Sequence, residues 1–181
     1  MLTTEQAISQ TKKWINDVVI GCNFCPFAAR EVKQDKVHYR VLDEAPTEEV
    51  VAVFLEECKR LDENPGIETT LLVLLNSFED FDEYLDLVSA AEKAVEKNDY
   101  EGVYQVASFH PGYCFEGADE TDAANYTNRS PYPMLHLLRE ESIEKALERF
   151  PDPESIPERN IDFARTKGLQ YMQALRAACL K

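Results

Sequence analysis

Two stretches of this chain concentrate the side chains that do chemistry. Between Ser108 and Glu140 the sequence reads SFHPGYCFEGADETDAANYTNRSPYPMLHLLRE, with the histidines His110 and His136 and the arginines Arg129 and Arg139. Near the N-terminus, CNFCPF at 22–27 supplies Cys25. An imidazole is the natural proton carrier near neutral pH. A guanidinium offers a planar fork suited to carboxylate or phosphate, and a thiol beside an imidazole is a nucleophile with its base. Together these types point to acyl or phosphoryl transfer, or hydrolysis, on a small anionic metabolite.

The roles divide by position. His110 follows the third expected strand, and open α/β sheets bind ligands beyond the carboxyl ends of their strands. It is the candidate acid/base, against the alternative of a turn histidine bonded to a backbone carbonyl. Asn125, Asn128, Arg129, Ser130 and Tyr132 lie in NYTNRSPYP, just ahead of an expected helix start. The free N–H groups there favour an anion, and Arg129 would clamp it. The other account is a rigid, proline-held loop in which the asparagines cap turns and Arg129 pairs with an acid. His136 and Arg139, three residues apart on one helical face, would assist. Cys25 is the candidate nucleophile, against a buried structural thiol.

Other chemistries fit less well. Cys22 and Cys25 have CxxC spacing, but they follow a helix end and no second pair completes a zinc site. A metal held by His110, His136 and the acids of EGADETD at 116–122 ranks lower, because those acids read as a solvated loop tip. No cofactor is expected. A ligand sensor or protein-interaction module, using the 110–139 loop as its docking surface with Tyr126 and Tyr132 as anchors, stands as the non-catalytic alternative. Whether the chain is an enzyme therefore stays open at this point.

The elements that must position these residues follow from periodicity. A first helix spans 4–21, with Trp14, Ile15 and Val18 in its stripe; a loop follows to about residue 36. Val37 to Leu42 alternates as an edge strand, and 47–62 is a helix. Thr69 to Leu75 is a continuous apolar run, hence a central strand. Ser77 and Asp80 open the next helix, which carries Phe78, Tyr84 and Val95. Residues 102–109 form the third strand. Residues 133–150 and 157–179 then read as two helices. Crossover helices imply a mostly parallel three-stranded sheet in a small layered α/β domain. A hairpin at His110–Gly112 would add a short fourth strand at 113–115.

Composition bounds the rest. A chain of 181 residues with 44% apolar content supports a single domain, 1–181. A net charge of −15 disfavours nucleic acid. No apolar run is long enough to span a membrane, and the N-terminus lacks the layout of a secretory signal, so the cytoplasm is expected. Five cysteines cannot all pair, and reduced thiols fit that compartment. Oligomeric state is not encoded in any of these features.

Four segments resemble a family signature: CPF at 25–27, SFHP at 108–111, NYTNRSPYP at 125–133 and HLLRE at 136–140. With WINDVVIGCNFCPF at 14–27 and PERNIDFAR at 157–165, they resemble the bacterial domain-of-unknown-function family 1415 over nearly the whole chain. The resemblance implies no particular reaction or cofactor. Its pattern has an aliphatic residue where Cys22 stands and does not include Cys114, which leaves Cys25 as the thiol of interest.

Overall fold

A computed structural model describes residues 2–181 as a three-layer α/β arrangement. The first helix, α1 (Thr4–Trp14), starts on a capping box between Thr3 and Gln6 and runs into a π-helical turn, Ile15–Ile20. Gly21 follows that turn at a position with no room for a side chain: a Cβ there would lie 2.3 Å from the Asp17 carbonyl oxygen. A short helix, α2 (Ala28–Lys33), occupies part of the expected loop. Strand β1 (Val37–Asp43), helix α3 (Thr47–Glu63), strand β2 (Thr69–Leu75), helix α4 (Phe81–Lys97) and strand β3 (Tyr104–Phe109) follow. Asp80 caps α4 by accepting from the amides of Asp82 and Glu83, so Phe78 and Ser77 lie ahead of the helix.

The sheet corrects the expected topology. It has four strands in the order β1-β2-β4-β3, where β4 is Met134–Arg139. β1 and β2 are parallel, while β4 runs antiparallel to both β2 and β3. The sheet is therefore mixed, and β3 lies beside β4 instead of β2. The expected helix over 133–150 is a strand followed by helix α5 (Glu140–Glu148). MLHLLR is apolar on both faces, and a run this short fits either period. What decides is the slot between β2 and β3, where each edge of the segment finds a ladder of backbone partners. The hairpin strand at 113–115 does not form. The expected last helix divides at Gly168, whose φ of +84° breaks it into α6 (Ile156–Lys167) and α7 (Leu169–Ala178).

Alternation along the strands sorts the core into two layers. Leu72, Leu74, Leu135, Leu137 and Tyr104 face α3 and α4, together with Phe54, Leu61 and Leu87. Leu71, Val73, Leu75 and Met134 face the other way, toward Trp14, Val18, Ala164 and Met172. Full burial stabilises each such leucine by roughly 1.5–3 kcal/mol. β2 is buried at every position, as its unbroken apolar run requires. Among the described residues no helix is long and apolar enough to cross a membrane.

One hydroxyl joins the layers. Tyr84 Oη donates to the Met134 carbonyl at 2.6 Å and accepts from the Phe109 amide at 3.0 Å, pinning the end of β3 to the start of β4. Tyr84→Phe removes both bonds while keeping the ring. The expected loss is about 1–3 kcal/mol in urea-denaturation stability, the cost of buried polar groups without partners. A loss below about 0.5 kcal/mol would show that this link does not tie the strands.

Candidate functional site

The face of the sheet opposite α3 and α4 is incompletely filled. A cavity of about 350 Å³ lies there. Its floor is Thr69 and Leu71 of β2, His136 and Leu138 of β4, and Gln105 and Phe109 of β3. Trp14 and Ile15 form one wall. Cys25, Phe27, Glu31 and Val32 form a second, and Ser142, Ile143 and Ala146 of α5 a third. The space persists because α2 and α5 roof it without contributing a single fully buried residue. Phe27 and Phe150 meet edge to face at 5.9 Å across that roof, each beyond the end of its own short helix.

Among the described residues His136 is the one imidazole lining the cavity. Thr69 Oγ1 donates to the Leu137 carbonyl and lies 2.7 Å from His136 Nε2, so it accepts the Nε2 proton. That fixes the tautomer and leaves Nδ1 as an acceptor without a partner among the described residues. Burial pushes the His136 pKa down to about 4, so the ring is neutral at pH 7. The surface it retains is turned to the cavity.

The residues singled out from sequence divide between this cavity and an unrelated network. Cys25, half-buried, lines the cavity with His136. His110 does not line it. It is 1% exposed and packs against Phe81 and Tyr84. Its Nδ1 accepts from the Gly112 amide at 2.9 Å, which places the proton on Nε2, 2.9 Å from the Phe78 carbonyl. Both nitrogens are engaged, and burial lowers its pKa. The bond steadies Phe78, a bulky residue held at φ +57°.

NYTNRSPYP is tied inward in the same way. Asn125 accepts from the Phe115 amide and donates to the Asp119 carbonyl. Asn128 accepts from Thr127 Oγ1 and donates to the Ser108 carbonyl. Arg129 donates to the carbonyls of Tyr113 at 2.8 Å and Glu120 at 3.0 Å and lies over the Tyr126 ring. Ser130 is fully buried and donates to the Tyr132 carbonyl, while Tyr132 donates to Gln10. Arg139 borders the cavity, yet its guanidinium turns to the Leu61 and Ile67 carbonyls and the Tyr104 hydroxyl. Cys25, His110 and Arg129 are therefore not gathered around one hollow, and the segment precedes a strand, so it offers no helix N-terminus. No group of three or more His, Cys, Asp or Glu among the described residues is placed to hold a metal ion.

Sequence reasoning missed Trp14, Glu31, Glu68 and Gln105. Glu31 and Glu68 lie 37 positions apart and reach one cavity only because β1 and β2 start side by side: the Lys36 amide bonds the Glu31 carbonyl and the Glu68 amide the Lys36 carbonyl. No local pattern marks that pairing. Four buried side-chain atoms lack a partner among the described residues: Thr11 Oγ1, Trp14 Nε1, Glu31 Oε2 and Glu68 Oε1. The last three belong to residues lining the cavity. Buried polar groups are normally paired, so such a concentration marks this region as built for something other than packing.

The His136 shift makes a pH prediction. An unfolded histidine takes up its proton near pH 6.5, the folded His136 only near 4, so between these values the unfolded state binds more protons. The His136 contribution is complete above pH 6.5 and declines as pH falls, by roughly 3 kcal/mol at full protonation. His110 shifts in the same direction, so the comparison must be with a variant. His136→Gln flattens the stability profile between pH 6.5 and 5 relative to the wild type; parallel profiles would contradict the assignment.

No curated protein and no solved structure is significantly similar to the chain. A family model does match, over residues 6–174, and its description is a protein of unknown function. With nearly its whole length covered, the chain belongs to that family, DUF1415.

Proposed function

We propose that the protein binds a small, largely apolar molecule in the cavity above His136. The observation that carries this reading is the coincidence of an apolar hollow with a free imidazole acceptor and unpartnered polar groups. Ligand sites are typically apolar concavities of roughly 300–1,000 Å³ with a few polar atoms that fix orientation. Ile15, Phe27, Leu71, Phe109 and Ile143 supply the apolar surface, and His136 Nδ1 supplies a fixed acceptor.

An anionic metabolite at the 110–139 loop is a weaker proposal on this geometry. It requires Arg129 or Arg139 to surrender carbonyl partners already in hand. A docking surface there meets a similar objection, since Tyr126 is buried and Tyr132 half-buried. Acid/base work by His110 has to begin by breaking the bonds that hold the Phe78 turn.

Covalent chemistry at Cys25 is the second reading, favoured by its place in the same cavity as His136. Magnitude decides against His136 as its resting base. An imidazole whose pKa burial pushes down to about 4 is too weak a base to hold a thiol's proton at rest. Binding is thus the primary role, and any thiol step would need another base.

Trp14 is the sole tryptophan, so its emission reports the cavity wall directly. Saturable binding of 1-hexanol is expected to shift or quench that emission, and Ala146→Phe, which fills the hollow, weakens it at least tenfold. Unaltered emission and unaltered thermal stability at high 1-hexanol would refute the cavity as a binding site. Iodoacetamide modification of Cys25 is expected to slow several-fold when the probe is bound, while Cys25→Ser retains binding. If Cys25→Ser abolished binding instead, the thiol reading would take precedence.

A further inference from the structure

The partnerless atoms Trp14 Nε1, Glu31 Oε2 and Glu68 Oε1 have no accessible surface, so none of them is offered to a ligand. His136 Nδ1 is a different case. It lacks a partner among the described residues, yet it is not one of the sealed atoms, so it keeps accessible surface. The ring that carries it lines the cavity. Nδ1 is therefore a polar atom that a molecule entering the hollow can reach.

Its role as an acceptor is fixed from behind. The Nε2 proton goes to Thr69 Oγ1 at 2.7 Å, whose own proton goes to the Leu137 carbonyl. Nδ1 would become a donor only if the ring took a second proton, and burial pushes that pKa down to about 4. Burial is the whole cause of the shift, with no contribution from a carboxylate or a guanidinium. The ring thus stands apart from close charge. Beside it lies Phe109, tilted, with ring centroids 5.9 Å apart, and Trp14 meets Phe109 edge to face at 5.1 Å. An apolar wall flanks the acceptor.

We infer that the ligand is an alcohol, its hydroxyl donating to His136 Nδ1 and its hydrocarbon part lying over Leu71, Leu138 and Ile143. This rests on the cavity reading above and adds the chemical class of the polar end. An ether, ketone or ester brings only lone pairs, so it would leave Nδ1 facing a second acceptor, and an unmade buried hydrogen bond is costly. A carboxylate brings lone pairs and a charge as well. The one guanidinium bordering the cavity, that of Arg139, is committed to the Leu61 and Ile67 carbonyls and the Tyr104 hydroxyl. An ammonium has hydrogens to donate, but it must shed its water beside a neutral ring that offers no opposite charge. A hydroxyl exchanges one hydrogen bond to water for one to Nδ1 and carries no charge to desolvate.

The test compares 1-hexanol with ethyl butyl ether, an isomer with the same atoms and no O–H, and with n-hexylamine. Each is titrated into the full chain at pH 7 with Trp14 emission and calorimetry as readouts, while the His136 ring nitrogens are followed in long-range proton–nitrogen NMR spectra. Hexanol is expected to bind about fivefold tighter than the ether, the net worth of one hydrogen bond, and tighter than hexylamine. The Nδ1 resonance should move upfield with hexanol and stay in place with the ether. In His136→Phe, which keeps a flat ring and removes the acceptor, hexanol should bind no better than the ether. Should that variant fail to fold, the wild-type ranking and the Nδ1 shift decide by themselves. If the ether or hexylamine matches or exceeds hexanol, or Nδ1 does not respond to bound hexanol, the hydroxyl assignment is overturned while the cavity remains a binding site. If none of the three binds, both fall.

Discussion

Met134–Arg139 lies between β2 and β3 with backbone hydrogen bonds on both edges, and the cavity depends on that ladder. The register sets His136 opposite Leu71 on one side and Ala107 on the other, which puts its imidazole on the face that α3 and α4 do not cover. A slip of one residue would turn His136 toward α3 and α4 and bring leucines to the cavity floor. Thr69 then fixes the tautomer, because its own proton is committed to the Leu137 carbonyl. Strand pairing thus determines which nitrogen of one histidine faces an internal space.

The 108–133 segment has to deliver the chain into that slot. It does so without long regular structure, by satisfying its backbone groups through side chains. Asn125, Asn128 and Arg129 each bond to main-chain groups of the loop, and His110 holds the Phe78 turn against it. Arg176 of α7 reaches the Ser130 carbonyl at 2.8 Å, tying the loop to the last helix. A buried loop must account for its amides and carbonyls in this way. The cluster of amides, guanidinium and imidazole is explained by that requirement, and the same residue types would look identical in sequence if they bound a substrate.

How much was legible from sequence follows from this distinction. The apolar run Thr69–Leu75 announced a central strand, and the alternation at 37–42 announced an edge strand, because burial on two faces or one writes directly into composition. MLHLLR did not announce a strand, since Leu135 and Leu138 satisfy a helical spacing as readily. Its partners, β2 and β3, lie tens of residues away in sequence. Cys25 and His136 were both singled out, and both do line the cavity, but their meeting there was not foreseeable. Glu31 and Glu68 were invisible for a plainer reason: each reads as an ordinary surface acid until the starts of β1 and β2 bring them to one cavity.

On the proposed reading an apolar hollow and a neutral imidazole acceptor hold a small, largely apolar molecule. The most direct measurement of that claim is a set of intermolecular NOEs in methyl-labelled protein saturated with 1-hexanol. Contacts from the aliphatic chain to the methyl groups of Leu71, Leu138 and Ile143 are predicted, with the protons nearest the hydroxyl closest to the His136 ring. Contacts confined to methyl groups on the α3–α4 side of the sheet would contradict it.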